Sequence, residues 1–160
     1  MVNINLITNN KEIVEYLANK ICNRKIIYQN GRYHTENAIV AANWVLGLHE
    51  IGHWIAAVPS ERNNYNLGLP VNVDIKKVYE NDVLSPIYQR LYTEEMVACI
   101  LPLMFYDKYF IPDEKVREKY VMLDEVAKDF HEVTETYEDM KVRAAELFEE
   151  YTKNLEININ

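Results

Sequence analysis

Cysteine is scarce in this chain of 160 residues: Cys22 and Cys99 are the whole supply and stand far apart, so neither a disulfide framework nor a cysteine-built zinc site is indicated. Glycine is scarce too, with four residues, and none belongs to a phosphate-cradling glycine loop. No uninterrupted apolar run reaches membrane-spanning length. Residues 1–10 lack the basic start and long apolar core of a signal peptide, so a cytoplasmic location is expected. Positive charge is the minority sign, 17 Lys and Arg against 25 Asp and Glu, for a formal net charge of −8. That balance argues against a nucleic-acid backbone or an anionic membrane as the main partner. Internal repeats, low-complexity tracts and basic aromatic stripes are also missing.

What is present suits one globular domain spanning residues 1–160, with 49% hydrophobic residues to build a core. The periodicities predict a mainly α, α+β fold with a small sheet. Ile13, Val14, Leu17 and Ile21 recur at helical spacing behind Thr8, Asn9 and Asn10 as candidate caps. Lys25 to Gln29 reads as a strand turning at Asn30-Gly31, a two-residue hairpin signal. From Asn37 to Pro59 the chain is apolar on nearly every side, which predicts a helix central to the domain. Val71, Val73 and Ile75 alternate with polar residues as in a half-buried strand, a candidate edge for an extended substrate. Thr93 is expected to cap a further helix, and Pro102 to end or kink it.

Residues 113–153 are acidic and carry Val116, Tyr120, Leu123 and Ala127 at amphipathic spacing, then Tyr137, Met140, Ala144 and Leu147 in a shifted phase behind Thr136. This predicts an acidic helical hairpin with a solvated outer face. Both ends, 2–6 and 155–160, alternate like strands that could pair with each other or with a second copy in a homo-oligomer.

The most informative segment is His49-Glu50-Ile51-Gly52-His53. On a helix, positions i and i+4 share a face, so His49 and His53 can offer two imidazoles to one metal ion while Glu50 reaches a metal-bound water. In apolar surroundings such groups are costly to bury unless paired or coordinated; the alternative is a hydrogen-bonded His-Glu-His cluster without metal. A catalytic zinc site needs a third protein ligand. Glu94 and Glu95 are the candidates, and the helical phase of Val97, Ile100, Leu101 and Met104 favours Glu94, with Glu95 as the alternative and His34 in reserve. Either glutamate could instead complement the helix dipole. Beyond the motif, the turn-rich loop offers Arg62 and Tyr65 as substrate-binding candidates, Arg62 for a carboxylate or else as an exposed surface charge or a contact to the last carbonyls of the helix. Tyr65, Tyr92 and Tyr106 are candidate oxyanion donors.

The motif followed by a later Glu resembles the zincin metallopeptidases in their Glu-ligand form. That resemblance implies a peptide or protein substrate, zinc, and Glu50 as the catalytic base. A second likeness covers about twenty-five residues: His49 to Ala57, with Trp54 and the Ile55-Ala56 pair, then Arg62 and Tyr65-Asn66-Leu67-Gly68-Leu69. This segment resembles the metal-binding stretch of the bacterial elongation factor P hydroxylase family. It implies an iron-dependent hydroxylase, with metal binding carried by His49, His53 and Glu94 or Glu95. The Tyr65 to Pro70 loop departs from that family's aromatic-rich loop, and the acidic C-terminal half lies outside the likeness. Three classes of function are therefore expected in order: a metal-dependent, peptidase-like hydrolase using Zn2+; an iron-dependent hydroxylase using Fe2+; and a non-catalytic binding or inhibitory protein with a structural metal.

Overall fold

The computed structural model describes residues 9–70, 86–129 and 136–155. The strand expected at 71–76 and the alternating stretches at 2–6 and 156–160 lie outside the described residues.

Helix α1, Asn10–Leu17, starts where the Asn9 side chain accepts a hydrogen bond from the Glu12 N–H at 2.9 Å and buries Ile13, Val14, Tyr16 and Leu17. It widens into a π turn, Ala18–Cys22, closed by Asn23 in the left-handed region at φ 54°. Three strands follow: β1 Lys25–Tyr28, β2 Tyr33–His34 and β3 Ala38–Ala41. β3 is central. It pairs parallel with β1, Lys25 opposite Ala38 through Tyr28 opposite Ala41, and antiparallel with β2, His34 opposite Ile39.

Two expectations change here. Asn30-Gly31 forms a turn, with Gly31 at φ 118°, but β3 enters between β1 and β2, so no two-stranded hairpin results. The apolar run from Asn37 is also divided: Ala38 to Ala41 form the buried central strand, and the helix begins six or seven residues later than expected. Periodicity cannot separate a short all-apolar strand from a buried helical turn. The boundary is set by a polar side chain instead. Asn43 accepts from the Leu46 N–H at 3.0 Å and starts α2, Trp44–Ala56. It ends at Ala56, with Ala57 extended at ψ 148° and Pro59 opening a short 3-10 turn two residues later.

Helix α3, Pro86–Tyr109, carries 24 residues and is nearly parallel to no single apolar stripe: Met96 through Pro102 are all buried. Proline suits its first position, where the missing N–H leaves nothing unpaired. Thr93 therefore lies inside this helix rather than capping it, its hydroxyl donating to the Gln89 carbonyl at 3.0 Å. Pro102 does not end the helix, which continues to Tyr109. α2 and α3 pack closely where Gly52 meets Ala98: a Cβ on Gly52 would lie 3.1 Å from the Ala98 carbonyl oxygen and 3.2 Å from its Cα. Only a residue without a side chain allows that approach undistorted.

Helices α4, Glu114–Asp129, and α5, Tyr137–Thr152, both pack on α3. Tyr120 on α4 is fully buried and donates its hydroxyl to the Val45 carbonyl of α2 at 2.9 Å. Phe148 on α5 meets Phe105 of α3 edge to face at 4.9 Å. Thr136 and Asp139 form a reciprocal capping box at the start of α5. One core cluster joins residues of α1, α2, α3, α4 and α5, giving a mainly α, α+β architecture. Among the described residues, no helix is long and apolar enough to cross a membrane.

Candidate metal centre

His49 and His53 lie one turn apart on α2, with ring centroids 4.7 Å apart and planes at 80°. Glu95 on α3 closes on both. Its Oε1 is 3.4 Å from His49 Nε2 and its Oε2 is 2.7 Å from His53 Nε2. Donor atoms held about 2.0–2.1 Å from a tetrahedral zinc lie roughly 3.3 Å from one another, so the spacing at His49 fits and that at His53 is tighter. His49 is 2% exposed, whereas His53 and Glu95 are 12% and 19% exposed at the side chain, so the cluster opens on one side. That side is a cavity of about 400 Å³ with Leu46, Leu67, Leu69 and Leu91 in its walls. Among the described residues, two sets of donor atoms gather within 4.8 Å of one another, His49 with Glu50 and His53, and His49 with Glu95 and Cys99, so imidazole and carboxylate donors able to hold a divalent cation meet at this face.

The favoured third candidate, Glu94, goes elsewhere. Its Oε2 is 2.7 Å from Arg90 Nε, and Arg90 also donates to the Leu67 carbonyl at 2.6 Å, fastening the loop after α2 to α3. Glu95, the alternative, is the carboxylate brought to the histidines. The phase argument misled because it assumed one buried face, while α3 is covered on several sides at this level.

Glu50 is almost fully buried and accepts a hydrogen bond from His34 Nε2 at 3.0 Å. His34, on β2, thus supports the Glu of the motif rather than approaching the Glu95 carboxylate. Burial pushes the His34 pKa down, against the pull of Glu50, which favours neutral imidazole. Burial alone would raise Glu50, but the charge of His53 and the hydrogen bond from His34 outweigh it and hold Glu50 down to about 2. His53 moves the other way: burial opposes its charge, yet Glu95 and Glu50 raise it to about 9. Glu95 is held well below the ordinary carboxylate range despite its burial, chiefly by His53. The cluster is therefore built to stabilise positive charge between two carboxylates.

The remaining candidates are not brought to this cavity. Arg62 is turned inward, donating to the Trp54 and Ile55 carbonyls at 3.0 and 3.1 Å and to the Tyr151 hydroxyl at 2.7 Å, with its guanidinium 4.0 Å from the Trp54 ring centre. Its Nε and Nη2 donors satisfy the end of α2 and Tyr151. Tyr65 is 61% exposed and lies against Tyr33, 5.8 Å between ring centres. Tyr106 bonds to Ile111 and Asp113 at the junction of α3 and α4. Neither these nor Tyr92 line the cavity.

Two participants escaped the sequence. Cys99 donates its thiol to Glu95 Oε1 at 3.5 Å, and its position four residues after Glu95 was the available signal. The other is the Ala98 carbonyl, which faces His49 Nδ1 at 2.9 Å. A carbonyl only accepts, so Nδ1 carries a proton, and Nε2 is the ring atom turned to Glu95. Comparison of the chain with protein-family models, with curated proteins and with solved structures finds no match, so the reading of this centre rests on its own chemistry.

Proposed function

We propose that the protein is a metal-dependent, peptidase-like hydrolase whose ion is held by His49, His53 and Glu95. The observation that carries this reading is the convergence of Glu95 on both Nε2 atoms beside an open cavity, with Glu50 alongside. A bound zinc supplies an acidified water and polarises a carbonyl. Glu50, buried and held by the hydrogen bond from His34, would be the residue to accept a proton from an attacking water and deliver it to a leaving amine. Leu46, Leu67, Leu69 and Leu91 offer contacts to an apolar side chain of a peptide, and Arg32 and Asn66 in the same lining offer polar ones. Glu94 and Arg62 hold the framework of the cavity and stay outside the proton path.

A second reading is supported by the donor set itself. Two histidines and one carboxylate with open positions also suit non-haem iron, as in the hydroxylase family that the motif segment resembles. Elemental analysis of the purified protein separates the two, since zinc supports the first and iron with oxygen consumption the second. For the first reading, incubation with an unstructured peptide library should give cleavage detectable by mass spectrometry. Glu50→Gln should lower it roughly 10²–10⁴-fold while leaving bound metal unchanged. Metal with no turnover of either kind would leave a binding protein with a structural ion. A chain that takes up no metal would remove all three.

A further inference from the structure

An α-helical carbonyl normally accepts the N–H four residues on, and for Ala98 that residue is Pro102, which has none. The Ala98 oxygen is instead met by His49 Nδ1 at 2.9 Å, both groups being buried. A proline ring inside a helix also crowds the carbonyl of residue i−4 and tips it away from the helix axis. On the other side, Gly52 opens the space through which the two helices approach, its missing Cβ falling 3.1 Å from the same oxygen.

We infer that Pro102 is a positioning residue for the metal centre: by withdrawing a helical N–H it frees and aims the Ala98 carbonyl, which fixes the His49 ring with Nδ1 protonated and Nε2 turned to Glu95. Pro102 does not line the cavity; it acts through one oxygen atom. The motif helix is thereby oriented by a residue some fifty positions away in sequence, on the helix that also donates Glu95.

The zinc arm of the test rests on the reading of His49 as a ligand, whereas the tautomer arm does not. Metal-free protein labelled with 15N-histidine should show His49 as the Nδ1–H tautomer in long-range proton–nitrogen correlation spectra. In Pro102→Ala, which restores the helical N–H, the signal should redistribute toward Nε2–H. Zinc affinity, measured by competition with a chromophoric chelator, should fall roughly 10–100-fold, the usual effect of losing a partner behind a ligating histidine. Gly52→Ala, which displaces the same carbonyl from the opposite side, should shift the tautomer in the same direction and covers the case in which Pro102→Ala does not fold. Unchanged tautomer in a folded variant overturns the inference, whether or not affinity falls, because lost affinity with Nδ1–H retained would mean that Pro102 acts by packing. If wild-type protein takes up no zinc, the hydrolase reading fails while the tautomer comparison still decides the role of Pro102.

Discussion

Glu94 and Glu95 are adjacent and chemically identical, yet their neighbours divide the work. Glu95 carries the charge that faces two imidazoles; Glu94 neutralises Arg90, and burial pushes its carboxyl up against that pull. Glu95→Ala should therefore abolish stoichiometric metal uptake, read by elemental analysis. Glu94→Ala should keep the metal and lose about 2 kcal/mol of stability in urea unfolding, because Arg90 is left partly buried without its partner. The opposite pattern would transfer the ligand role to Glu94. At this scale the sequence was readable where spacing alone decides, as with His49 and His53. It was unreadable where a choice between neighbours depends on what packs against a helix from several directions. His34 illustrates the same limit: its contact with Glu50 exists only because β2 pairs with β3, and β3 leads directly into α2.

Among the elements, α2 depends on both of its ends. Asn43 satisfies its first turn, and Arg62 returns from the following loop to satisfy the last carbonyls while lying over Trp54. Arg62→Ala should cost about 2 kcal/mol in urea unfolding through lost charge-assisted hydrogen bonds and lost contact with the indole. Metal content should stay at the wild-type level. A fall in metal content without a fall in stability would return Arg62 to the site. The amphipathic reading of 113–153 agrees with the described helices α4 and α5, whose start at Thr136 shows as a capping box. The parallel pairing of β1 with β3 had no local signature, because Asn30-Gly31 resembles a hairpin turn whether or not its strands pair.

For the molecule as a whole, α2 and α3 cross at the centre of the core and carry all three proposed ligands between them. An ion that binds only the folded arrangement raises its stability by mass action. Zinc at about a thousand times its dissociation constant should add about 4 kcal/mol, which for a chain of this size raises the thermal midpoint by roughly 10 °C. Glu95→Ala should show no such rise; an equal rise would place the ion elsewhere. The crossing also bears on what can be transplanted. A synthetic peptide cut from Asn43 to Ala57 would retain the five-letter signature, yet it would leave behind the oxygen that turns the first ring, the acid that closes the cage and the strand that steadies the base. So short a helix is barely stable in water by itself. The signature marks an address in the sequence, and its chemical competence belongs to the architecture around it.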